Sequence, residues 1–193
     1  MFKKCLVPTM SGIIVFLCFC DKPTSPANPA LPSALNVKFT NSDVQGWTTD
    51  TSAANGITAV YGEKDTTVLR ALMDGGADQY FIEGLHQGMV QILQGPLVDS
   101  FPTNLSFYAI VYATDKNAEQ MFTDIKSGWG ALVPLQGFDT TVAVGYMVLG
   151  GVKAAAHFNK FYVELTVTGF VNLTDAVNTV DQMLQIVRQK AGQ

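Results

Sequence analysis

The chain has 193 residues and a formal charge of −4, with 48% apolar, 10% aromatic and only 15% charged residues. That apolar fraction excludes disorder along the whole length and fits one globular domain. Beyond Lys3-Lys4 there is no basic cluster, which argues against a nucleic-acid surface.

Residues 1–19 read as a secretory signal: Lys3-Lys4 precede an apolar run from Leu6 to Cys20. At fifteen residues the run falls short of the roughly 20 needed to span a bilayer. All three cysteines, Cys5, Cys18 and Cys20, lie in this segment, so the remaining chain holds no disulfide framework. A chain whose last cysteine closes its signal resembles the bacterial lipoproteins, with Cys20 as the lipidated first residue, Leu17 at the matching position three before it, and Phe19 where the family prefers a small residue. Asp21 after that cysteine resembles the retention signal of enteric inner-membrane lipoproteins. Residues 20–34 then form a tether, since Pro23, Pro26, Pro29 and Pro32 remove backbone donors and disfavour helix. Losing Lys3 and Lys4 with the leader takes the charge from −4 to −6.

A single α+β domain is expected over 35–193. Ile57 to Tyr61 predicts a short strand, and Asp65-Thr66-Thr67 caps a helix through Met73 that Gly75-Gly76 ends. Ala77 to Glu83 supplies another turn or two of helix. His86 to Gln94 and Leu105 to Ala113 predict strands, with Pro96 and Pro102 marking their connection. Asp115 is expected to cap a helix with Ala118, Met121, Phe122 and Ile125 on one face, ending at Ser127-Gly128, where Trp129 packs back over the helix end. Val142 to Leu149, Val152 to Phe158 and Phe161 to Thr168 then read as an antiparallel meander, joined at Gly150-Gly151 and Asn159-Lys160. Asn172 or Thr174 caps a long C-terminal helix, with Ala176, Val180, Met183, Leu184 and Val187 on its apolar side and Asp181 elsewhere. The fold class is therefore an antiparallel sheet of about five to seven strands with helices packed on its face or faces.

The run Asp74-Gly75-Gly76-Ala77-Asp78-Gln79-Tyr80, with Gly84 closing it, resembles a motif of an exported or lipid-anchored bacterial family of unknown function. Gly46-Trp47 near the start and Phe161-Tyr162-Val163-Glu164 before the last helix fill further positions of that pattern, while Leu85 stands where the family has Phe. The resemblance implies an α+β fold similar to PsbP and Mog1, and it brings no catalytic residue with it. Asp74, Gly75, Gly76, Asp78 and Tyr80 are thus a candidate motif, structural or binding, in which Tyr80 reads most simply as a core residue with a hydrogen-bonded hydroxyl.

Asp74, Asp78, Glu83 and His86 form the densest polar group, and such ligands are what Ca²⁺, Mn²⁺ or Zn²⁺ require. Their spacing matches no established loop, so a secreted metal-dependent enzyme is the alternative reading. His157 is expected on the solvent face or hydrogen-bonded at a hairpin, and Glu164 is either a buried acid in a pocket or, as alternation with Val163 and Leu165 favours, a solvent-facing residue. The small residues Gly145, Gly150, Gly151, Ala154, Ala155 and Ala156 imply a helix packed close on the sheet, or else a groove for an apolar or peptide ligand. No cysteine nucleophile, Gly-x-Ser-x-Gly elbow or phosphate loop occurs beyond the leader, and no cofactor is implied. The expectation is a non-enzymatic binding or accessory lipoprotein of the cell envelope, facing periplasm or exterior. Its partners would be the membrane through its lipid, and an envelope protein or small ligand.

Overall fold

In the computed structural model the described residues are 30–49, 59–62, 67, 77–98 and 101–193. Cys20, Asp74, Gly75, Gly76 and most of the expected helix from Asp65 to Met73 lie outside them. Residues Leu31–Gln193 form one compact unit.

Its strands are β1 (Thr48–Thr49), β2 (Ala59–Gly62), β3 (Leu85–Val98), β4 (Phe101–Tyr112), β5 (Leu132–Val133), β6 (Ala143–Val148), β7 (Gly151–Phe158) and β8 (Phe161–Thr168). Three α-helices have their bounds among the described residues: α1 (Ala77–Ile82), α2 (Asp115–Gly128) and α3 (Leu173–Lys190). The sheet is antiparallel throughout, in the order β1-β3-β4-β8-β7-β6-β5, with β2 also paired to β3. The expected α+β class is what forms. After the β3–β4 hairpin, α2 carries the chain to the far edge, and the meander β5-β6-β7-β8 returns to pair with β4.

Both faces of the sheet are covered. On β8, Val163, Leu165 and Val167 point to a core shared with Ala176, Val180, Leu184 and Val187 of α3 and with Ala34 and Val37 of a 3-10 turn. From the other face Tyr162 joins Tyr80 of α1 and Ala118, Met121 and Phe122 of α2. A strand buried on both sides loses the polar alternation that a half-exposed strand shows.

Several local expectations are corrected. Pro96 and Pro102 lie inside longer strands, beside a register shift between Gln94 and Leu97, where a missing N–H does no harm. Thr114, not Asp115, caps α2, its hydroxyl accepting from Asn117 N at 3.2 Å. Trp129 packs against the cluster that contains Ala118, Met121 and Phe122 of α2, and its ring also lies 5.6 Å from that of Tyr146 on β6. Asp181 lies on the buried side of α3, only 8% exposed. The unit also starts earlier than residue 35, since Ala34 is fully buried and Ser33 caps the 3-10 turn.

Candidate functional site

The chief polar feature of the core is one that alternation misplaces. Glu164, expected in solvent, is 3% exposed. It sits mid-sheet between Tyr108 of β4 and Ala155 of β7, on the face covered by α1 and α2. Its Oε1 accepts from Tyr80 Oη at 2.5 Å and Tyr162 Oη at 2.7 Å, and its Oε2 pairs with Lys153 Nζ. Both carboxylate oxygens are therefore satisfied, as a buried charge requires.

Burial pushes the hydroxyls of Tyr80 and Tyr162 well above the ordinary phenol range, and the charge of Glu164 adds to it. Each phenol keeps its proton and acts as a donor. Lys153 reaches the cluster from the solvent side, one third exposed, with the Trp129 ring centred 5.7 Å from its ammonium. What this arrangement does chemically is join elements: Tyr80 ties α1 to the centre of the sheet through one carboxylate. A hydrogen-bonded core hydroxyl was the simplest reading of Tyr80, and the structure has it.

The other candidates fall elsewhere. Asp78 is exposed in the first turn of α1, Glu83 lies in the turn after it, and His86 is the second residue of β3. Among the described residues no three His, Cys, Asp or Glu side chains stand together as a metal-binding group. The region around Glu83 is instead tied to α2: Asn117 Nδ2 donates to Glu83 O at 3.0 Å, and Gln79 Nε2 to Asp124 Oδ2 at 3.2 Å. His157 is half-buried, its Nε2 2.9 Å from Thr141 O and its ring 5.2 Å from Phe122. This agrees with the hydrogen-bonded role expected for it.

The small-residue strands resolve to close packing. Ala154 and Ala156 are fully buried in the core shared with α3, and Ala155 in the core shared with α2. A Cβ on Gly151 would overlap the Val167 carbonyl oxygen, and one on Gly145 would stand 3.1 Å from Val133 O. Ala154, Ala155 and Ala156 expose no surface. A shallow open depression of about 370 Å³ lies instead beside α2, floored by Phe122 and Leu132 and edged by Glu119, Lys126 and Thr141.

Asp181 is the second buried acid. Its Oδ2 accepts from Gln136 N at 3.1 Å, while its Oδ1 is buried with no hydrogen-bond partner. Burial raises its carboxyl above the usual range, against the pull of the Gln136 N–H. Sequence periodicity placed this residue off the apolar stripe and carried no signal of its burial.

No family model matches the chain, and no curated protein does. Among solved structures it is similar to the extracellular domain of PknH from Mycobacterium tuberculosis, at 12% identity and a TM-score of 0.45, covering 75% of this chain and 80% of that one.

Proposed function

We propose that the protein is a non-enzymatic binding or accessory module of the bacterial cell envelope, held to a membrane by lipid on Cys20 and facing periplasm or exterior. One observation carries the reading. Every cysteine lies within the first twenty residues, the last of them followed by four prolines in ten residues from Pro23 to Pro32, and the compact unit begins at Leu31. A lipid, a tether and a folded head follow in that order. Glu164, the most buried acid among the described residues, spends both oxygens on structural partners.

Intact mass spectrometry of the protein purified from its native membrane, beside a Cys20→Ser variant, tests it. A diacylglyceryl-modified Cys20 that the variant loses is the expected result. An unmodified, soluble chain would overturn the anchor.

A further inference from the structure

The sheet face that packs on α1 and α2 changes character partway along its strands. Val144, Ala155, Glu164 and Tyr108 form one row across β6, β7, β8 and β4, and all but Tyr108 are buried. Two positions further along each strand, on the same face, the next row reads Tyr146, Lys153, Thr166 and Ser106. Beyond it Thr168 pairs with Asn104. All six of these side chains are partly exposed.

Four of the six are polar and unspent. The side chains of Asn104, Ser106, Thr166 and Thr168 make no hydrogen bond among the described residues. At the β6 end the row meets two half-buried rings. Trp129, just past α2, has its ring centred 5.6 Å from that of Tyr146 at 37°, and Lys153 Nζ stands 5.7 Å from the centre of the Trp129 ring. The charge of Lys153 is met by Glu164, so the row as a whole is polar and neutral.

We propose that this row binds an uncharged saccharide chain, with sugar faces against Trp129 and Tyr146 and sugar hydroxyls on Thr166, Ser106, Thr168 and Asn104. The inference rests on the binding reading above, whose ligand class it names, and is independent of the lipid. Charge and size choose the occupant. The weakly positive C–H groups of a sugar seat on the electron-rich face of an aromatic ring, and its hydroxyls both donate and accept, as Ser, Thr and Asn side chains do. A neutral row complements a neutral chain, whereas an anionic ligand would meet only an ammonium already paired. From β6 to β4 the row crosses three strand spacings, about 14 Å, and two rows of that width offer roughly 200 Å². A protein partner or a second copy of the chain needs about 800 Å² per side. A short oligosaccharide fits within the smaller area.

The test uses the full chain, purified from its membrane in a detergent without a sugar headgroup and with its mass measured first. It is titrated calorimetrically with maltotetraose, cellotetraose and chitotetraose. The expected result is saturable binding of at least one of them, unchanged by raised salt. Binding should be about tenfold weaker in Thr166→Val, lost in Trp129→Ala, and equal to the parent in Thr141→Val, which alters the depression beside α2 instead. Thr166→Val keeps the side chain's size, so it decides the matter even where thermal unfolding shows Trp129→Ala to be misfolded. Lipidated protein that binds none of the three sugars overturns the inference and leaves the anchor standing. Binding that Thr166→Val leaves intact, or that Thr141→Val weakens, also overturns it. Dimeric sedimentation that Trp129→Ala abolishes, with no sugar bound, overturns it by assigning the face to a second copy. Should the mass show an unmodified Cys20, the anchor fails, and the same titration still decides the sugar site.

Discussion

The side chain of Gln91 serves Phe39 as a strand would: its Oε1 accepts from Phe39 N and its Nε2 donates to Phe39 O, both at 3.0 Å. Gln91 is fully buried, and Phe39 packs its ring 4.9 Å from that of Phe107. Replacing Gln91 by Leu orphans two buried backbone groups at about 1–3 kcal/mol each. Urea unfolding of Gln91→Leu should show a loss of roughly 2–6 kcal/mol, with amide exchange at Phe39 accelerated beyond that of the β8 core.

Glu164 and Tyr80 are coupled. Tyr80→Phe deletes a hydrogen bond to a charged acceptor, worth about 1.5–3 kcal/mol. Once Glu164→Leu has removed the acceptor, the same change should cost nearly nothing. Equilibrium unfolding of the two single variants and the double variant measures this, and additive losses would show that the bond contributes little.

Alkaline pH should weaken the fold through the same cluster. The hydroxyls of Tyr80 and Tyr162 lie well above the ordinary phenol value of 10.0 in the folded chain, so above that value the unfolded state releases protons that the folded state keeps. Stability then falls as pH rises past 10.0. Tyr162→Phe lowers stability at neutral pH and flattens this alkaline decline, which denaturation at a series of pH values reads directly.

Asp181 acts at the other end of the scale. Its folded carboxyl is raised above 3.8 by burial, so between 3.8 and the raised value the folded state binds more protons and stability falls as pH rises. Asp181→Asn keeps an acceptor for Gln136 N and removes the ionisation. We expect it to be more stable than the parent at pH 7, with the difference vanishing below pH 3.8.

Two glycines should respond in opposite directions. Gly151→Ala drives a methyl into the Val167 carbonyl of a buried strand and should cost more than about 2 kcal/mol. Gly128, the last residue of α2, has open space around it, and Gly128→Ala should stabilise by about 0.5–1 kcal/mol. Thermal unfolding of both variants checks the pair.

Much of the architecture was legible because its signals are local. Phe161 to Thr168 matches β8 at both ends, and the i, i+3, i+4 pattern of Ala118, Met121 and Phe122 falls on the buried face of α2. β1 and β5, at two residues each, are too short to carry a period. The polar core was illegible for a different reason. In a strand covered on both faces, a lone carboxylate between valine and leucine looks like an outward residue, and only its partners, Tyr80 from 84 positions earlier among them, reveal otherwise.

The carboxylate in β8 also guards against misassembly. Offsetting β8 by one position against β4 and β7 would turn Glu164 toward Val180 and Leu184, where no hydroxyl or ammonium awaits it, at several kcal/mol for a stranded ion. Val163 and Leu165 would meanwhile leave their apolar neighbours. A strand rich in interchangeable aliphatics thereby gains a single permitted alignment, and the cost of an error is concentrated in one side chain.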